Sequence, residues 1–249
     1  MASAEIADWL AANAATLGLL ALVLVTIVVI VLRASRRAKG RTVLLLGAPD
    51  SGKTTLFFQL LDGSTHNGTV ASMQPNERTA DEKSDLAGAT LVDVPGHPRV
   101  RGEWESHLPT SRGIVFLVDG VNFLPIKTAV AEQLFDVLAH PQVASRRIPV
   151  LLAVNKVDAG ELAHGVKFIL KYLERELEAL RSSRADLAAA SGGSGAASLD
   201  VPAGQTFTFA GLAASKGVIV RPIGISALEG TGLDEVRSFV RAAAGAPAS

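Results

Sequence analysis

Residues 41–63 read RTVLLLGAPDSGKTTLFFQLLDG. The first part, RTVLLLG (41–47), is a short apolar run and predicts a buried parallel strand. KTTLFFQLLDG (53–63) has helical spacing, with Leu56, Leu60 and Leu61 inward and Gly63 as its stop. Between strand and helix lies GAPDSGKT (47–54), a glycine-rich loop ending in Lys-Thr. Gly47 and Gly52 permit backbone angles that a Cβ disfavours. The loop amides then form an anion nest at the positive end of the following helix. Lys53 is expected to reach the β- and γ-phosphates of a nucleotide, and the Thr54 hydroxyl to ligate Mg²⁺. The phosphate-binding set is Gly47, Asp50, Ser51, Gly52, Lys53, Thr54 and Thr55. This loop alone does not choose ATP over GTP.

The choice comes from NKVD (155–158), which ends the apolar run IPVLLAV. Guanine presents N1–H and an exocyclic amine along one edge, and the Asp158 carboxylate can accept both hydrogen bonds. Adenine offers no such pair of donors. Sites built on matched hydrogen bonds reject the wrong partner by about 10⁴ or more. Asn155 is expected on the O6/N7 side, bracing the loop, and the Lys156 stem over the base plane. ISALEGTG (225–232) follows the next strand; there the Ala227 amide would approach guanine O6, with Ser226 supporting the turn. DVPGH (93–97) ends another strand. Asp93 is expected to hold Mg²⁺ through a water, and the Gly96 amide to bond the γ-phosphate.

The rest of the chain alternates strands with helices. GATLVDV (88–94), GIVFLVDG (113–120) and GVIVRPIGISA (217–227) read as further strands. AVAEQLFDVLA (129–139), KFILKYLERELEALR (167–181) and LDEVRSFVRAA (233–243) read as helices. This order implies an α/β fold of the P-loop NTPase kind, a mostly parallel sheet with helices on both faces. Residues 64–87 are polar and weakly patterned and suggest an exposed, mobile loop. Residues 182–205 are rich in Ala, Ser and Gly and read as a disordered insertion. TFTFAGL (206–212) alternates like a short edge strand.

Composition limits the alternatives. The chain has 249 residues, formal net charge zero and no cysteine. The charge balance speaks against direct, specific nucleic-acid binding. Without cysteine there are no disulfides, thiolate metal sites or sulfur-linked lipid anchors. The apolar excess gathers in AATLGLLALVLVTIVVIVL (14–32), which no charge interrupts. As a helix it would be about 28 Å long, close to a hydrocarbon core of about 30 Å. Arg33, Arg36, Arg37, Lys39 and Arg41 crowd its C-terminal side, while Glu5 and Asp8 precede it. The positive-inside rule then places the bulk of the chain in the cytosol. The expected organisation is a far-side tail (1–13), a transmembrane helix (14–32), a basic linker (33–41) that can touch anionic membrane lipid, and a nucleotide-binding domain (42–245).

The four motifs in this order resemble a small GTPase of the Ras-like superfamily. With a span in front of them, the chain resembles the β-subunit family of the signal recognition particle receptor. That family's phosphate loop has the form Gly-x-x-Asp-Ser-Gly-Lys-Thr, matched here from Gly47 to Thr54, and DVPGH resembles its Asp-x-Pro-Gly-His segment. GTVASMQPNE (68–77) looks like its first switch, whose Mg²⁺ ligand would be Thr69 or Ser72, or water or a neighbouring hydroxyl if Ala71 takes the aligned place. The resemblance implies GTP and Mg²⁺ as cofactors and a single-pass endoplasmic reticulum membrane protein with a lumenal N-terminus. It also implies docking of the receptor α-subunit through that subunit's N-terminal domain, and work with ribosome and translocon in co-translational targeting. His97 stands where many GTPases place the residue that orients the attacking water, so slow or stimulated GTP hydrolysis is chemically open. The alternative reading is a turnover membrane GTPase of the Arf or Sar type in vesicle traffic.

Overall fold

The structure, a computed structural model, describes residues 40–64, 74–81, 83–96, 102–191, 199 and 205–245. The apolar run 14–32, most of the basic linker, Thr69, Ser72 and His97 lie outside the described residues. Among the described residues no helix is long and apolar enough to cross a membrane.

Six strands form one sheet: β1 (Thr42–Gly47), β2 (Asn76–Thr79), β3 (Thr90–Asp93), β4 (Ser111–Asp119), β5 (Val150–Asn155) and β6 (Val220–Gly224). Their spatial order is β2-β3-β1-β4-β5-β6, with every pairing parallel except β2 against β3. The helices are α1 (Lys53–Asp62), α2 (Trp104–His107), α3 (Phe123–Ala139), α4 (Pro141–Arg146), α5 (Val166–Ser191), α6 (Phe209–Lys216) and α7 (Leu233–Ala244).

Because side chains alternate along a strand, each central strand feeds two cores. Leu44, Leu46, Phe116, Leu152 and Val154 point toward α3, α5 and α6. Val43, Leu45, Val115, Leu117 and Leu151 point toward α1 and α7. Both sets are almost fully buried, and each such side chain contributes about 1.5–3 kcal/mol relative to exposure. Burial on both faces explains why these strands read as continuous apolar runs. β1 lies between β3 and β4, so the strand order reverses around it, and a crevice opens at the C-terminal ends of the strands.

Three segments differ from their sequence reading. Within 64–87, NERT (76–79) is an antiparallel edge strand, and Ala80 and Leu86 are buried. An edge strand flanked by solvent needs no apolar alternation, so its pattern was silent. Within 182–205, residues 182–191 continue α5, and Leu199 is buried in the core beside α3 and α5. Alanine-rich sequence supports a helix that is already nucleated. Arg184 also ties this extension to α3, pairing with Asp136 at 2.9 Å and lying 4.2 Å over the Phe135 ring. TFTFAGL forms no strand; it leads into α6. Thr208 caps that helix by accepting from the Gly211 amide, at 2.9 Å. The amides of Phe207 and Phe209 donate to Glu178 and Glu174 on α5 instead of to a sheet neighbour.

Candidate functional site

The phosphate loop sits at the end of β1, in the crevice where the strand order turns. Gly47 has φ +141°, and a Cβ there would lie 2.2 Å from the Leu117 carbonyl oxygen on β4. Glycine is therefore required both by angle and by close approach. Gly52, at φ +91°, precedes α1, whose first turn has no acidic residue and no side-chain cap. The helix thus presents its positive end to the loop without a competing carboxylate.

Lys53 folds back under the loop. Its Nζ donates to the carbonyl oxygens of Gly47 (3.0 Å) and Ala48 (2.8 Å), and the residue is only 6% exposed. Burial pulls its ammonium pKa down to about 8, against the charges of Asp93 and Asp50, which hold it up. The Thr54 hydroxyl donates to Asp93 Oδ2 at 2.7 Å, so the two expected magnesium residues are in contact across α1 and β3. Burial raises the Asp93 pKa, opposed by hydrogen bonds from Thr54 and Asn76 and by the Lys53 charge. Asp93 Oδ1 and Ser51 Oγ are buried without a hydrogen-bond partner. A buried carboxylate oxygen with no donor, beside a hydroxyl, is a donor set that suits a hard divalent cation.

Gly96 lies against the same loop: a Cβ there would come within 2.6 Å of the Gly47 carbonyl oxygen and 2.7 Å of Ala48 C. The segment after β3 therefore touches the phosphate loop backbone directly.

Asn155 joins the two halves of the crevice. Its Nδ2 donates to the Ser51 carbonyl (2.8 Å), and its Oδ1 accepts from the Ala227 amide (2.9 Å). The bracing role read from the sequence is thus present in these contacts. The Ala227 amide, expected at a base oxygen, is here engaged by Asn155. Ser226 holds the turn as expected, its Oγ accepting from the Glu229 amide at 2.9 Å. A Cβ on Gly52 would fall 2.1 Å from Asn155 Nδ2, which gives that glycine a second reason invisible in the local motif. Lys156 occupies the left-handed region at φ +69°, and its Nζ pairs with Asp119 Oδ2 at 2.6 Å. Asp158 follows, exposed, at the start of a short 3-10 turn over Val157–Leu162.

Two residues at this site were not singled out from the sequence. Asp119 ends β4 and is 2% exposed. Burial pushes its pKa up, but Lys156 and the amides of Asn122 and Val121 outweigh it and hold the carboxyl below its ordinary range. Its signal was an aspartate closing a strand beside the one that ends in NKVD. Asn76 reaches Asp93 Oδ2 at 3.4 Å from β2, a pairing that only the sheet register creates.

The sequence profile of the family described as "Signal recognition particle receptor beta subunit" matches residues 38–216. The human signal recognition particle receptor subunit beta is 37% identical over 164 residues, 65% of this chain. That match spans 60% of the human protein's length. The structure of the mammalian SRP receptor superposes with TM-score 0.65 at 29% identity, covering 80% of this chain and 97% of that one. The Arl6 small GTPase of Trypanosoma brucei, solved with bound GppNp, superposes with TM-score 0.57 over 82% of this chain and 96% of its own. At 20% identity it shows the shared fold alone. With the profile covering most of its length, the chain belongs to the signal recognition particle receptor beta subunit family.

Proposed function

We propose that the chain is the GTP-binding, membrane-anchored subunit of a signal recognition particle receptor, docking the α-subunit at the endoplasmic reticulum membrane for co-translational targeting. The observation that carries the GTP reading is the Asn155 bridge. One side chain holds the phosphate loop through Ser51 and the Ser226–Ala227 turn through its amide, with Asp158 three residues further on. The phosphate-holding and base-reading motifs thereby share one crevice.

In this reading Gly47 to Thr55 bind the phosphates, with the Lys53 ammonium exchanging its loop carbonyls for β- and γ-oxygens. Asp158 accepts from guanine N1–H and the 2-amine. Lys156, oriented by Asp119, lays its stem over the base. Thr54 directly, and Asp93 through a water, would hold Mg²⁺, which when bound neutralises phosphate charge; the partnerless Asp93 Oδ1 supports that fit. Thr69 or Ser72 would complete the ion's shell, and His97 would orient a water for slow or stimulated hydrolysis. The apolar run 14–32 would anchor the chain with its N-terminus lumenal. Gly96, packed on the phosphate loop, is the point from which nucleotide state would reach the surface that the α-subunit reads.

The test is the nucleotide that co-purifies with the full chain, followed by Asp158→Asn. Guanine nucleotide and a switch of preference from GTP to xanthosine triphosphate are expected. Retention of adenine nucleotide, or unchanged GTP affinity in the variant, overturns the assignment. Single-turnover hydrolysis with and without the α-subunit separates a docking subunit from a turnover GTPase, since only the latter turns over rapidly alone.

A further inference from the structure

We propose that the end of the sheet opposite the nucleotide crevice, ringed by Arg41, Arg112, Arg146, Arg147, Lys216 and Arg221, is a docking surface for an anionic phospholipid bilayer. The strand register assembles it. Thr42 pairs with Thr90 and Ser111, Ile114 with Val150, and Val150 with Val220, so the starts of the parallel strands lie together. The six cations come from four separate stretches of chain and meet only there. Arg41 leads into β1 and lies over Gly88, where an added Cβ would be 2.4 Å from its Nη1. Arg147 lies against Gly217, next to Lys216, at 3.0 Å from the corresponding Cβ position.

Two of the six have an ordinary explanation: Arg146 and Lys216 stand in the last turns of α4 and α6, where a cation complements the helix dipole. Arg41, Arg112 and Arg221 stand instead on strands or strand entries, Arg221 beside a hollow that Glu235 also lines. Arg146 gives its guanidinium to the Leu108 and Ser111 carbonyls rather than to a carboxylate. Burial, and then the like charge of Arg112, lower its pKa, so positive charge is concentrated here despite repulsion. Asp85, in the turn before β3, is already engaged by Arg237 and Arg241.

A bilayer fits better than RNA for two reasons. The large exposed side chain among these cations is aliphatic, Ile219 at 48%, which suits the headgroup–acyl boundary, whereas single-stranded RNA sites use exposed aromatics. The folded unit also begins at this end, at Arg41, directly after Arg33, Arg36, Arg37 and Lys39 and the apolar run 14–32. The inference rests on reading that run as a membrane span, but adds a contact made by the folded unit itself.

The experiment uses the full chain in lipid nanodiscs of phosphatidylcholine alone or with phosphatidylserine, read by hydrogen exchange in peptides covering 144–149 and 216–221. Slower exchange in the anionic discs is expected, reversed by salt that shrinks the Debye length to about 3 Å. Each neutralised cation is expected to weaken the contact about fivefold. The variant Arg112→Gln/Arg147→Gln/Arg221→Gln, with the linker cations intact, is therefore expected to lose the protection while keeping its GTP affinity. Equal exchange in both discs, or protection that the triple variant retains, overturns the proposal. Protection that appears only when RNA is added to neutral discs assigns the face to RNA instead. Failure to enter neutral discs sinks the span reading separately. Co-sedimentation of wild type and variant with anionic vesicles then still decides the face, because equal binding by the two overturns it.

Discussion

Asn155→Ala tests whether the crevice is held together by one side chain before any nucleotide arrives. The residue is 3% exposed and makes two buried hydrogen bonds, to Ser51 O at 2.8 Å and from Ala227 N at 2.9 Å. Alanine would strand both main-chain partners, at about 1–3 kcal/mol each. Partial hydration from the open side of the crevice recovers some of this, leaving a loss of about 3 kcal/mol. For a unit of this size each kcal/mol moves the melting temperature by about 2–4 °C, so a fall of about 6–12 °C is expected. The assay is thermal unfolding of the full chain in detergent, stripped of nucleotide and then with GTP. The nucleotide-free protein must itself melt lower, because the bridge exists without ligand. If the stripped variant melts with wild type while GTP affinity drops, Asn155 acts on the base alone and the bracing argument is refuted. Asp158→Asn is the matched control. Its carboxylate is exposed, so the stripped melting temperature is expected to stay put while the GTP-dependent rise shrinks.

Gly52→Ala is expected to push Asn155 out of its bridge, since the new Cβ would sit 2.1 Å from Nδ2; a double-mutant cycle with Asn155→Ala should be strongly non-additive, and additive losses would mean that the two do not meet. Lys53 gives a pH signature. Its pKa falls on folding from the usual 10.5 to about 8, so between those values the unfolded chain binds more protons and stability of the stripped protein rises with pH, by about 3 kcal/mol in total. Lys53→Met, or saturating GTP, should flatten that rise in urea titrations; an identical slope in the variant would place the effect elsewhere. Asp93→Asn is expected to make GTP affinity nearly indifferent to removal of magnesium by chelator, measured by calorimetry. A wild-type magnesium response in that variant would exclude Asp93 from the ion's shell.

What was legible in the sequence is what is local in the chain. The phosphate-loop pattern needs strand, glycines, lysine and helix within a dozen residues, and the strand and helix that flank it could be read without tertiary structure. The buried strands announced themselves because both faces are covered. NERT (76–79) did not, because its faces meet solvent and its residues carry no apolar alternation. TFTFAGL misled for the opposite reason: two phenylalanines separated by one residue look like an alternating strand. Both are buried, but their amides are taken by glutamates on α5, a fact that no local window contains. Gly52 shows the limit most clearly. Its sequence rationale, a positive φ, is correct at +91° and incomplete, because the space of its missing Cβ is filled by the side chain of Asn155. The glycine of one motif and the asparagine of another are thus a single steric contact. A chain keeping both motifs, but shifting β5 against β1 by about 1 Å, would stretch the Asn155 bonds beyond hydrogen-bonding range and lose the bridge while every residue pattern stayed intact. Motif order therefore nominates the site, whereas the packing of β1, β4 and β5 decides whether the motifs could act on one ligand.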